Sequence, residues 1–303
     1  MNVPALSILI VAADSGPSLA DCVRRALACT VVGEVLVLDN ASTDGMPETV
    51  EREHADDPRV QVLRNGANLG FGAAMNRGAA LARGEHLLLL NPDCLLAVGD
   101  VEKLLETLLI ESHAGLVGAV ICDADGTPDP ASRRRDPLLR RSLNTLTGRA
   151  SREVDEPHCE GIPVPGPMPD GVEEEEAVSG ALMLMPRQVF DKLGGFDEGY
   201  FLHCEDLDLC RRVRDAGYRV LLDGRVRVLH AKGGSSRHRP VFVSRHKHRG
   251  MWRWFRKFDP AARNPLVAVV VWCGIWGHFG AGVFRGMFGR GRAINDNDVG
   301  PMA

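Results

Sequence analysis

The chain has 303 residues, a net charge of −4, 45% hydrophobic and 25% charged residues. That is enough for one large domain plus an extension, and it supplies an ordinary core. The slightly acidic balance excludes a general nucleic-acid binder, which would be basic. Eight cysteines occur without a C-x-x-C pair, most of them within apolar runs. They read as small buried hydrophobes in a reduced compartment, not as a disulfide or zinc framework. The N-terminus lacks a basic lead before its first strand-like run, so no secretory signal is expected and the chain reads as cytosolic.

Residues 1–122 alternate between strand-like and helix-like patterns. Apolar runs at Ser7–Ala12, Glu34–Leu38, Val60–Arg64, His86–Leu90 and Leu116–Cys122 predict strands. Helical spacing predicts helices over Ser18–Ala28, Met46–His54, Gly72–Ala82 and Val101–Ser112. Strands separated by helices of this length imply βαβ units and a mostly parallel sheet. Four consecutive leucines, Leu87 to Leu90, form a buried strand that stops at Asn91-Pro92, and the carboxylate of Asp93 follows at once. Ligands of open α/β sheets bind just outside such strand ends. An acid there can hold Mg²⁺ or Mn²⁺ against a phosphate, or it can simply cap a following helix from Leu96 to Ile110. Asp39 ends the strand before it, where a carboxylate can accept from a ribose hydroxyl or a base N–H. Asn65–Gly78 places Asn68, Gly70, Gly72 and Asn76 around a helix start, where glycines let backbone N–H groups approach a diphosphate.

From Asp123 to Glu176 the periodicity dissolves. Prolines punctuate a segment with a basic knot at Arg133, Arg134, Arg135, Arg140 and Arg141, and it ends in the acidic run Glu173–Glu176. Such a loop is either a solvated excursion or a flap over an anionic substrate. Order returns at Ala177–Met185, around Gly180, followed by helices at Arg187–Leu193 and from Cys204 to Ala216. Glu205 and Asp206 open the second helix behind an aromatic-rich loop, where a carboxylate can act as a general base, whereas helix-dipole complementarity accounts for Asp208. Two closing strands are expected at Tyr218–Leu222 and Val226–His230; the second ends in His230, an imidazole able to join Asp93 on a Mn²⁺-type ion or to serve structurally. Beyond residue 236, Arg245–Phe258 interleaves basic and aromatic residues, and Asn264–Phe284 carries no formal charge. The latter has the length of a membrane span, but its glycines and central His278 suit equally a helix packed on protein, on a dimer mate or in the membrane surface.

The ordered stretches LDNASTDG, NGANLGFGAAMNRG, LLLLNPDC, AVSGALMLMPRQVFDKLGGFDEGYFLHCEDLDLCRRVRDAGYRV and HAKGGSS resemble the family-2 inverting glycosyltransferases, and among them bacterial rhamnosyltransferase-like enzymes. The resemblance covers about residues 5–258. It implies a GT-A fold over residues 1–235, a mixed, mostly parallel sheet flanked by helices, with a helical extension over 236–303. It further implies a nucleotide-diphosphate sugar donor, rhamnose as the expected sugar, a divalent metal (Mg²⁺ or Mn²⁺), and a glycan or polyprenyl-diphosphate-linked acceptor. By position, Asp39 would contact the nucleotide, and Asn68, Gly70, Gly72, Asn76 and Asp93 would serve the donor. Asp93 and His230 would hold the metal, Asp206 would be the catalytic base, and Glu205 and Gly180 would lie on the acceptor side. One departure stands out: the first strand runs into Ala12-Ala13-Asp14-Ser15 where the family has a Tyr-Asn pair, which leaves the nucleotide base open. A sugar-phosphate nucleotidyltransferase would need a Gly-rich, cationic loop after that strand, and a dinucleotide-dependent oxidoreductase would need G-x-G-x-x-G; neither is present. A non-catalytic glycan-binding relative is the remaining alternative. The basic-aromatic stretch and the arginine knot suggest an anionic acceptor at the inner membrane face, and a homodimer is the other use of the apolar helix.

Overall fold

The computed structural model describes residues 6–154, 156–230 and 239–288. The stretch after His230, Ala231–Ser236, lies outside the described residues, as does the proposed boundary at 235. In chain order the elements are β1 (Leu6–Ala12), α1 (Ser18–Leu27), β2 (Val32–Asp39), α2 (Met46–Glu53), β3 (Val60–Arg64), α3 (Phe71–Leu81), β4 (His86–Leu90) and β5 (Cys94–Leu95). There follow α4 (Asp100–Ile110), β6 (Ala114–Cys122), β7 (Arg133–Arg134), α5 (Leu139–Leu146), β8 (Val172–Glu174), β9 (Ala177–Val178) and β10 (Leu182–Pro186). The last are α6 (Arg187–Lys192), α7 (Glu205–Asp215), β11 (Arg219–His230), α8 (Pro240–Phe258) and α9 (Pro265–Phe288).

The main sheet runs β3-β2-β1-β4-β10-β6-β11-β5, with β8 on the flank of β11. β1, β2, β3, β4, β6 and β11 share one direction; β10 is wedged antiparallel between β4 and β6. This is the expected mixed, mostly parallel sheet. Its central strands are buried on both faces, which explains why β1 and β4 read as unbroken apolar runs without alternation. One apolar layer, including Leu19, Val23, Leu104 and Leu108, packs beneath α1 and α4; the other, including Met75, Phe190, Leu207 and Trp254, packs beneath α3, α6, α7 and α8.

Three expectations change. The two closing strands are one continuous β11, with a shift of register between Asp223 and Arg227. Asp223 is fully buried there and takes hydrogen bonds from Thr107 and Arg225, so the irregularity is braced and the strand continues past it. Helix α4 begins at Asp100, not Leu96, because Cys94 and Leu95 turn aside to pair with the end of β11. Finally, segment 123–176 is folded onto the body. Its β7 pairs with β9, α5 docks Leu139 against the α8–α9 corner, and β8 extends the sheet. The sequence missed this order because its elements are only two to eight residues long and are held by ion pairs instead of apolar periodicity.

The packing is tight where β6 crosses β9. A Cβ at Gly118 would sit 2.7 Å from Val178 Cγ2. Gly118→Ala is expected to cost about 1–3 kcal/mol in urea unfolding. Adding Val178→Ala should recover part of that loss, and a double variant no more stable than Gly118→Ala would show that the overlap is not the cause.

Candidate active site

Because the parallel strands share one direction and β10 opposes them, one sheet edge collects the C-terminal ends of β1, β2, β4 and β11 and the N-terminal end of β10. That edge carries Asp39, Asp93, Gly180 and His230. Asp39 is nearly buried; its Oδ1 accepts from Ser42 N–H (2.8 Å) and its Oδ2 faces Arg64 (3.2 Å). Beside it, the Asn40 amide donates to Gly70 O (3.2 Å) and Asn68 Oδ1 (3.3 Å), and Asn68 Oδ1 also accepts from Gly70 N–H (3.0 Å). The end of β2 and the glycine-rich loop are thereby fastened together.

The glycines themselves have a different reason from the one expected. Gly70 adopts φ +84°, and a Cβ there would lie 2.5 Å from Phe201 O; at Gly72 it would lie 2.9 Å from Phe196 Cβ. The first N–H of α3, that of Phe71, donates to Phe201 O (3.0 Å) and so is engaged within the protein. Asn76 clamps the same loop: its amide donates to Phe196 O and Glu198 Oε1 (both 3.0 Å), and its Oδ1 accepts from Phe196 N–H (2.8 Å). Gly70, Gly72 and Asn76 therefore have a structural task, the close seating of the 194–201 loop.

Asp93 does not cap a helix. Past it, Cys94 pairs across from His230, which brings His230 Nε2 to 2.9 Å from Asp93 Oδ1. The contact is not aligned as a hydrogen bond, and the buried Nε2 has no hydrogen-bond partner among the described residues. An imidazole nitrogen left in this way beside a carboxylate fits a shared Mn²⁺-type ion, and the carboxylate alone suits Mg²⁺. Cys94 Sγ is within reach of both but is fully buried and turned to Ala181 O (3.4 Å).

Asp206 reaches the edge through a strained turn. His203 and Cys204 both sit at φ +69°, a left-handed conformation that costs of order 1–3 kcal/mol per residue and persists only where surroundings enforce it. Helix α8 enforces it, with Gly250 so close that a Cβ there would lie 2.8 Å from His203 O. Asp206 Oδ2 accepts from Gly180 N–H (3.2 Å) and pairs with the Arg134 guanidinium; Oδ1 accepts from Leu207 N–H (2.8 Å). Gly180 has to be glycine, since its Cβ would meet Asp206 Cβ at 2.9 Å. Burial alone would raise the Asp206 carboxyl, but Arg134 and the two N–H groups more than offset it and hold it below the usual carboxylate range. Adjacent Glu205 goes the opposite way: burial and the Asp206 charge push it up, and its Oε2 has no hydrogen-bond partner among the described residues. Two neighbouring acids with separated protonation states are a recurrent arrangement for acid–base chemistry.

Several residues escaped the sequence reading. Asp208 is fully buried and pairs with Arg212 and with Lys257 Nζ (2.6 Å), a larger role than dipole complementarity. Arg212 in turn donates to Leu193 O and Gly195 O, fixing the loop before Asp206, and Asp197 pairs with Arg253 and Lys257 of α8. The i,i+4 spacing of Asp208 and Arg212 was a readable signal. The arginine knot is also corrected. Arg133 pairs with Glu173 and Glu175, Arg135 with Glu153, and Arg141 with Glu160 and Glu176. The acidic run together with Glu153 and Glu160 neutralises most of the knot, which is therefore not an open cradle for an anionic substrate.

The family model described as glycosyl transferase family 2 matches residues 7–162. The N-acetylglucosaminyl-diphospho-decaprenol L-rhamnosyltransferase of Mycobacterium tuberculosis is 30% identical over 291 residues, covering 86% of this chain and 92% of its own. The chain belongs to glycosyl transferase family 2. This glycosyltransferase is also 26% identical to the rhamnosyltransferase WbbL of Escherichia coli, across 61% of the chain and 78% of the relative. Its fold is shared with a mannosyltransferase from Pyrobaculum calidifontis solved with GDP-Man and Mn²⁺ (TM-score 0.58, 17% identity, 92% of this chain and 75% of that one). The expected GT-A architecture and glycosyltransferase class are thus shown.

Removing one partner of a buried ion cluster leaves uncompensated charge. Asp208→Asn in the glycosyltransferase should lower unfolding stability by about 3–5 kcal/mol. A loss below about 1 kcal/mol in chemical denaturation would place the anchoring of the 194–201 loop elsewhere.

Proposed function

We propose that the enzyme transfers a sugar, rhamnose in the first instance, from a nucleotide-diphosphate donor to a hydroxyl of a polyprenyl-diphosphate-linked glycan, with inversion, in cell-wall or surface polysaccharide synthesis. The observation that carries the reading is the meeting of a nucleotide-side acid (Asp39), an acid–imidazole pair (Asp93 and His230) and an ionised carboxylate (Asp206) on one sheet edge. The match to the decaprenol-linked rhamnosyltransferase over most of both chains supports the sugar and the acceptor class.

In this reading Asp39 and Asn68 lie on the nucleotide side, and Gly70, Gly72 and Asn76 shape the wall of the donor pocket. Asp93 and His230 would hold a divalent ion, which when bound supplies positive charge to a departing diphosphate. Asp206, fixed by Gly180 N–H, takes the proton of the attacking hydroxyl. A carboxylate this acidic is a weak base. It suffices when proton transfer comes late, after the attacking oxygen has begun to bond the anomeric carbon and has become acidic itself. Glu205, kept neutral by burial, can donate a hydrogen bond on the acceptor side instead of adding a second negative charge.

Helix α9 bears on location. Its window Pro265–Arg285 has a mean hydropathy of 1.8 and is only 6% buried. One face packs on α8, and the other exposes Leu266, Val269, Val270, Trp272 and Phe284. Arg245, Arg249, Arg256 and Arg263 are exposed nearby on α8 and the corner after it. Apolar and aromatic side chains beside cations suit the headgroup layer of an anionic membrane, which supports a peripheral position on the inner face of the plasma membrane. A second copy of the chain is the other occupant this face would accept.

Isothermal titration with dTDP-rhamnose, UDP-sugars and GDP-sugars, with Mn²⁺ or Mg²⁺, tests the donor side. One donor should bind only with metal. Asp93→Ala should abolish that binding, whereas Asp206→Asn should keep it and lose at least about 100-fold in turnover. Absence of binding by every donor under both metals would favour the non-catalytic glycan-binding alternative. For the membrane, flotation with phosphatidylglycerol vesicles should retain the full chain and lose the Val269→Glu/Val270→Glu variant. Equal flotation of both would remove α9 from the membrane contact.

A further inference from the structure

The region that the sequence left without structure contributes a side chain to the catalytic centre. We propose that Arg134, on β7 of the 123–176 segment, is a positioning residue for the Asp206 base, fixing its carboxylate against Gly180 at the acceptor side of the cleft. The inference rests on the reading of Asp206 as the base.

The geometry is specific. Arg134 is largely buried, in contrast to the exposed Arg140 of the same knot. Its backbone is held in register by the antiparallel pairing of β7 with β9, Arg134 opposite Ala177 and Arg133 opposite Val178. The chain then needs only Ser179 to reach Gly180, whose N–H donates to the same Oδ2 that Arg134 engages. One oxygen of the base is thus fixed from two sides by neighbouring segments of one small sheet. The other oxygen is fixed by the N–H of Leu207. The flanking arginines spend their charge on Glu173, Glu175 and Glu153, whereas Arg134 alone of the knot turns to Asp206.

The pairing sits among several other titratable groups. On its own turn Asp206 is flanked by Glu205, by His203 and by the thiols of Cys204 and, one turn on, Cys210. Burial raises both thiols, which stay protonated. His203 is pushed down to about 4, first by burial and then by Lys247 of α8, so it is neutral at physiological pH; His246 of α8 faces it as well. Lys247 of α8 acts on His203 and Cys204, and Arg214 of α7 acts on Cys210. Arg134 makes direct contact with the carboxylate. An opposite charge in contact with a buried acid lowers its midpoint by roughly one to three units. Without Arg134, burial would be opposed by the N–H groups of Gly180 and Leu207 without the guanidinium charge, and the Asp206 midpoint would rise.

The test uses the full-length protein labelled with ¹³C at aspartate carboxyls, with Asp206→Asn identifying the signal. In Arg134→Gln the Asp206 midpoint should rise by about one pH unit or more, and Arg134→Lys, which keeps charge but not the planar fork, should rise less. With the donor found by titration, the acid limb of kcat/KM for metal-dependent donor hydrolysis should move up by the same amount, while donor affinity stays unchanged. If Arg134→Gln does not fold, Arg134→Lys carries the test alone. A midpoint and acid limb that stay put in a folded variant overturn the proposal, as does a loss of donor affinity, which would make Arg134 a donor contact. Turnover that survives Asp206→Asn would overturn the assignment of the base instead, and the carboxyl titration would still report whether the pair exists.

Discussion

The register of β10 against β4 governs the site. Leu182 lies opposite Leu90, and just beyond the ladder Asn91 N–H donates to Ala181 O (2.8 Å). That bond ties the Asp93 segment to the Gly180 segment at the mouth of the sheet. A parallel strand in the place of β10 would send its N-terminal end to the opposite edge, and Gly180 would lie a strand's length from Asp93. The reversal is what lets the Asp93 carboxylate and the Gly180 N–H belong to one end of the sheet. The pairing from Leu182 to Met185 is of buried residues on both strands, so a slip by one residue would turn each side chain to the wrong layer.

Around that constraint the chain builds two supports. At one end, the end of β2 and the glycine-rich loop are joined by the amides of Asn40, Asn65 and Asn68. At the other, the 194–201 loop is held by Asn76 from α3, Arg212 from α7 and Arg253 and Lys257 from α8. Most of these bonds are charge-assisted or involve backbone, and many are shielded from solvent. They give the strained His203–Cys204 turn surroundings stiff enough to keep it.

Much of this was legible in the sequence. The βαβ rhythm of the first 122 residues fixed the elements closely because apolar periodicity is a local property. The strand-end logic also placed Asp39, Asp93 and His230 on one edge, since every parallel strand delivers its last residue there. The packing role of the glycines was not legible, because a Gly-x-Gly before a helix has the same sequence signature whether or not a neighbouring loop is seated on it. The folded state of 123–176 was not legible at all. Its order depends on arginines finding acids about 40 positions away, as Arg133 finds Glu173 and Arg141 finds Glu176, and charge runs carry no register. The burial of helix α8 within the expected helical extension was not legible for a related reason: its basic-aromatic pattern looks like a surface, yet Trp254 is almost wholly buried in the layer beneath α3 and α7.

That last feature bears on where the enzyme can be divided. Trp254 fills a core position, Gly250 presses on the turn before Glu205, and Lys257 neutralises Asp208 from outside the sheet. Helix α8 is therefore part of the catalytic body in everything but sequence position, and α9 is the appendage. Exchanging tails between relatives to redirect such an enzyme to another surface would succeed only at a joint near Asp259, after the last residue that reaches the acids of α7. A joint upstream of α8 would carry away a wall of the catalytic turn along with the tail.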